Sequence, residues 1–170
     1  GTPMFAPYDR RRAMSSLVAS PYLAACVTAV AEDLAGLPLK AARRVRVDGS
    51  WTLEPVTDHP ALDVIAKPSS DPTVTGRSLR TQLAVDKQLA GDAFALITTL
   101  GGKPVGLQRL HPARVDLEPT PYGTISSVGF SRSTHSTQSY DPNTVLIWRG
   151  VSWADDPSGL FGVGYAQILD

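Results

Sequence analysis

TGRSLRTQLAVDKQLAGDAFALITTLGGKPVGLQRL, residues 75–110, spells out a helix, a central strand and a returning strand. Thr75 can cap a helix whose apolar residues Leu79, Leu83, Val85, Leu89 and Ala90 form an inward face, and Gly91 ends it. Ala93 to Leu100 is apolar on both faces apart from its threonines, as a strand covered on both sides must be. Gly101-Gly102 turns the chain back into Val105–Leu110. The fold class that follows is α+β, with helices packed on a mostly antiparallel mixed sheet.

Upstream, Leu23, Val27, Val30 and Leu34 recur at helical spacing, with Ser20 as cap, Pro21 in the first turn and Gly36 and Pro38 at the end. A helix over about 21 to 35 is expected, with Cys26 packed beside the stripe. Leu39 to Val47 alternates as a strand, and Asp48-Gly49 turns it into Trp51 and Leu53. Arg44 and Arg46 share the polar face, whereas Arg43 breaks the apolar one. Arg43 therefore either meets a neighbouring subunit or acidic partner, or snorkels at the sheet margin. Asp58-His59-Pro60 starts a short helix, with Leu62 and Ile65 inward, and Lys67-Pro68 stops it.

Downstream, Val115 and Leu117 mark a half-buried strand, Ile125 to Phe130 another, and Thr144 to Trp148 a short buried one with Trp148 in the core. Ser131 to Ser139, rich in Ser and Thr, is expected as an exposed turn or loop. Trp153, placed in a loop, is the tryptophan suited to contact another chain. Residues 165–170 begin a helix face that calls for continuation in a longer chain. At the other end, Arg10, Arg11 and Arg12 stand in a block expected to be a mobile basic arm, residues 1–20, ahead of an α+β domain over 21–170.

The whole chain has 170 residues, 16 basic and 16 acidic side chains and one cysteine. That length suits about one domain of roughly 100 to 200 residues. Zero net charge argues against affinity for nucleic acid carried by an overall basic surface. A single cysteine excludes a disulfide framework. No run approaches the ~18 apolar residues of a membrane span, so no membrane partner is expected.

Catalytic patterns are thin. His59 and His111 each precede proline and read as element boundaries, and no H-x-x-x-H or H-E-x-x-H spacing occurs. His135, in the Ser/Thr loop, is a weaker candidate still. Gly159-Leu-Phe-Gly162-Val-Gly164 has its glycines in the wrong order for a nucleotide fingerprint and no following lysine. Asp155 and Asp156, next to Pro157, read as a turn rather than a metal site. No catalytic residue, cofactor or metal is assigned.

Ala31-Glu-Asp-Leu-Ala-Gly-Leu-Pro-Leu39, His59-Pro-Ala-Leu62, Lys67-Pro68, Gly91-Asp-Ala-Phe94, Gly102-Lys-Pro104 and Leu110-His-Pro-Ala-Arg-Val115 together resemble the tailed-bacteriophage portal, or head-to-tail connector, family. Val145-Leu-Ile-Trp148 followed by Gly159-Leu-Phe-Gly162 is similar to that family's passage into its long helices. The chain departs from the family at Asp92 and Ser69, where asparagine is common, and lacks a histidine in Val145–Trp148.

The resemblance implies a non-enzymatic subunit of a ring, usually dodecameric, at one capsid vertex of a virion assembled in the bacterial cytoplasm. Its implied partners are the major capsid protein, the terminase large subunit, a head-tail adaptor and double-stranded DNA passing without sequence-specific binding by this segment. Arg43, Arg44, Arg46 and Trp153 are the candidate subunit contacts. A head-tail adaptor or capsid accessory protein, and a small hydrolase or nucleotide-binding enzyme, are the other classes left open.

Overall fold

The computed structural model describes residues 9–122, 124–133 and 136–150. Helix α4 (Gly76–Ala90) is the hub. Thr75 and Ser78 close its first turn as a reciprocal capping box, and Gly91 leaves it in the left-handed region at φ 79°. The chain then enters β3 (Ala93–Leu100) and returns in β4 (Lys103–Leu110). β8 (Val145–Trp148) adds to the other edge, so β3 is central in the order β4-β3-β8, as its double-sided apolarity requires. Ala93 and Ala95 are small enough to let Leu79 and Leu83 of α4 pack close to the sheet.

The opposite face of that sheet presents Phe94, Leu110 and Val145 to a second sheet, β5 (Val115–Pro119), β6 (Ile125–Ser133) and β7 (Ser136–Tyr140). Leu117 and Val128 close this apolar layer. Against α4 also pack α1 (Arg10–Ala19) and α2 (Pro21–Gly36), joined to it through Ala13, Val27 and Leu89. The remaining elements, β1 (Ala41–Val47), β2 (Ser50–Val56) and α3 (Pro60–Ala66), lie between α2 and α4 in sequence. Every described strand pair is antiparallel, and the strands divide among three small sheets rather than one. No single described helix is long and apolar enough to cross a membrane.

Several expectations are corrected. Arg10–Ala19 is helical rather than a mobile arm, because Asp9 caps it and Arg10 is buried, donating to the Pro112 and Val115 carbonyls at 3.3 and 3.0 Å. In α2 the buried residues are Val27, Ala31 and Ala35, whereas Val30 and Leu34 are 48% and 41% exposed. The alanines turn inward because small side chains let α2 lie close on α4, and Cys26 is consequently exposed rather than packed. Trp148 is 42% exposed rather than core. β8 is an edge strand, so only Val145 and Ile147 of its four residues join the apolar layer. Within Ser131–Ser139, residues 131–133 end β6 and 136–139 belong to β7, largely exposed as expected but paired as strands, because backbone pairing does not depend on apolar side chains. Residues 134–135 lie outside the described residues.

Two glycines mark close approaches that demand the absence of a β-carbon. One at Gly106 would meet the Pro68 carbonyl oxygen at 2.7 Å, on the side where Leu107 N–H donates to the same oxygen. One at Gly76 would run into the Ile65 and Ala66 carbonyl oxygens of α3. Gly76→Ala should therefore destabilise the chain by roughly 1–3 kcal/mol through overpacking, despite alanine's better helix propensity. Urea denaturation of the variant checks this, and an unchanged or raised midpoint would contradict the close packing of α3 on α4.

Candidate functional site

The two histidines with catalytic potential serve the backbone instead. Nδ1 of His59 accepts from the Ala61 N–H at 3.2 Å at the start of α3, and Nδ1 of His111 accepts from the Ala113 N–H at 3.3 Å. In each case the following proline occupies the first turn, where it gives up no helical hydrogen bond. Among the described residues no three His, Cys, Asp or Glu side chains gather as a metal site. His135, Trp153, Asp155, Asp156 and the Gly159–Gly164 run lie outside the described residues.

The polar cluster at the heart of the fold was not singled out by its sequence. Asp86 falls on the inward face of α4 between Leu83 and Leu89 and is completely buried. Arg109, reaching over from β4, donates to its two oxygens from Nε and Nη2 at 2.6 and 2.5 Å, a two-pronged charge-assisted fit. Burial pushes the Asp86 carboxyl up from its ordinary value, while Arg109 acts against that rise. His111, two residues beyond Arg109, is held below its ordinary value by burial first and then by Arg109. The available clue was a lone acid centred on an apolar helix face, which needs a cation from elsewhere. Nearby, Asp92 is also buried and accepts from the Gly150 N–H at 2.9 Å, fixing the exit of β8.

The three candidate arginines lie on the β1–β2 hairpin. Asp48 and Gly49 both have positive φ, 49° and 84°, as the tightest hairpin turns require. Register pairs Arg43 with Glu54, Arg44 with Leu53 and Arg46 with Trp51. Alternation therefore puts Arg44, Arg46, Trp51 and Leu53 on one face and Arg43 on the other. The Arg44 guanidinium stacks over the Trp51 ring at 4.7 Å, and Arg46 Nε donates to the Gly49 carbonyl at 3.3 Å. The face is open, with Trp51 59% and Leu53 69% exposed. Between the opposite face and α3 runs a cleft of about 490 Å³ whose walls include Arg43, Lys40, Val56, His59 and Leu62. It brings together no catalytic constellation.

Among the described residues the buried charged groups Arg10, Asp86 and Asp92 are taken up in packing and backbone contacts, and the β1–β2 hairpin is an open basic and apolar surface. The phage portal protein family profile matches residues 21–170, and the chain belongs to that family. Among solved structures, a chain of the neck of an empty gene transfer agent (GTA) particle computed with C6 symmetry superposes with a TM-score of 0.76 at 18% identity, over 99% of this chain and 43% of that one. A chain from the virion of a native GTA particle gives 0.73 at 18%, covering 99% and 42%. The neck of the native GTA particle computed with C12 symmetry gives 0.71 at 17%, covering 96% and 41%. The chain thus spans less than half the length of the solved chains it resembles, and their likeness establishes the shared α+β fold. No curated protein matches the chain.

Two outcomes test the buried cluster. Arg109→Met strands the Asp86 carboxylate and should cost about 3 kcal/mol, the low end for breaking a buried pair because Arg109 is 27% exposed. The double change Asp86→Leu with Arg109→Met should recover most of that loss in chemical denaturation. His111 favours its neutral form in the fold, so it contributes stability that is complete above its ordinary value of 6.5 and lost as pH falls below it. Asp86, raised above 3.8, contributes in the opposite sense, losing stability as pH rises through its own range. His111→Asn keeps a capping acceptor and should flatten the decline in unfolding free energy just below pH 6.5. An equal slope in both proteins would contradict that role.

Proposed function

We infer that this chain is the wing-like part of a portal subunit, a structural component of a homo-oligomeric ring at the capsid vertex of a phage-like particle. Family membership over residues 21–170 is the observation that carries the reading. In this role the ring is the channel for DNA packaging and ejection and the platform for the terminase large subunit, the head-tail adaptor and the tail. A dodecameric ring, seated among major capsid protein subunits in the virion and assembled in the bacterial cytoplasm, completes the proposal. The role is mechanical rather than enzymatic.

The charge distribution supports a wing set away from the DNA. Sixteen basic side chains balance sixteen acidic ones. Of the arginine run, Arg10 is committed inside the fold, and Arg43 faces away from Arg44 and Arg46. A surface offering only two or three phosphate contacts gives a salt slope of roughly −0.9 for each, shallow beside a dedicated DNA binder. Weak contact also suits a channel through which DNA must slide.

Electron-microscope class averages of the full-length protein are the direct test. Rings with an open centre are expected. A protein that remains monomeric at micromolar concentration, or turns over a nucleotide, would remove the portal reading and favour an adaptor or an enzyme.

A further inference from the structure

The β1–β2 hairpin poses a physical problem, because an isolated two-stranded hairpin is at best marginal in water without a covered face. Here both strands are exposed along nearly their whole length, and the face bearing Trp51 and Leu53 is among the most open apolar surfaces described. A second open surface lies on α2. Tyr22, Val30, Leu34 and Leu37 line it, with Asp33 among them. A helix apolar around most of its circumference is normally buried on more than one side, yet α2 fully buries only Val27, Ala31 and Ala35, with Leu23 partly covered beside them.

The two surfaces complement each other in charge. The hairpin face couples its apolar residues to Arg44 and Arg46, whereas the α2 face couples its own to Asp33. Asp33 lies in the last part of α2, where the helix dipole already disfavours negative charge and α2 itself supplies no base, although Arg80 of α4 donates to the Leu37 carbonyl beyond the helix end. Among the described residues Asp33 forms no ion pair.

A ring is built by heterologous contacts, in which one patch of each subunit meets a different patch of the next. The geometry points to a head-to-tail interface between copies of this chain, in which the Arg44, Arg46, Trp51 and Leu53 face of one hairpin covers the apolar, acidic face of α2 on the neighbour. This assignment rests on the ring proposed above and adds which surfaces close it. The apolar residues exclude water and supply affinity, and the charges set direction, because hairpin-to-hairpin and α2-to-α2 pairings would place like charges together.

Charge reversal tests the interface on the full-length protein. Arg44→Glu with Arg46→Glu makes the hairpin acidic, and Asp33→Arg makes the α2 face basic. All three positions are exposed, and circular dichroism melting of each variant reports whether folding is intact. Light scattering and electron microscopy should show each variant alone losing rings, with at least a tenfold lower ring fraction at a concentration where the natural chain is fully assembled. Mixed in equal amounts, the two variants should recover rings, because every hairpin in an alternating ring then faces an α2 of opposite sign. Rings from either variant alone, or failure of the folded mixture to form them, would overturn this interface while leaving the portal reading standing. A natural chain that forms no ring would overturn both.

Discussion

A carboxylate buried on the inward face of a helix must find a cation, and in this chain Asp86 finds Arg109. The pair joins α4 to β4 across the middle of the molecule, and its two-pronged geometry admits one placement of the helix along the strand. A buried ion pair adds little over well-packed apolar side chains, but breaking one is costly, so its consequence here is to penalise misplaced packing. The other layers follow from α4. Leu89 receives α1 and α2 on the outer side, and Leu79 and Leu83 rest on Ala93 and Ala95 of the central sheet. Phe94 then carries the packing through to the second sheet.

Around this hub, polar groups that could have done chemistry have structural tasks. His59 and His111 accept hydrogen bonds from the first turns that follow them, and Asp92 fixes the backbone at Gly150. Arg10 ties α1 to the start of β5 and lies over the Phe94 ring at 5.6 Å. Such use of side chains suits a part whose work is to hold shape under load. The surface differs, since the hairpin and the outer side of α2 carry large apolar residues that no described part of this chain covers.

Much of this architecture was set by local sequence. The Thr75 cap, the Gly91 exit, the doubly apolar Ala93–Leu100 and the Asp48-Gly49 turn each define their element through conformational preferences that act within a few residues. The order of short motifs along the chain likewise pointed to the family whose profile matches residues 21–170. Periodicity marked most of the helices and strands, though not α1 or β7, and alternation alone separated Arg43 from Arg44 and Arg46.

Tertiary structure decided which faces are covered. A hydrophobic stripe says that a side wants burial but not what arrives to bury it, so α2 turned its alanines rather than Val30 and Leu34 toward α4. Trp148 belongs to an apolar strand, but the strand's place at a sheet edge left it half outside. Arg10 sits in a basic run typical of a solvated arm, yet carbonyl oxygens more than a hundred positions away hold it in the interior. The Asp86–Arg109 pair spans 23 positions and two elements. Long-range pairings of this kind leave no periodic trace in a sequence, because the partner is selected by how layers stack rather than by which residues are neighbours along the chain.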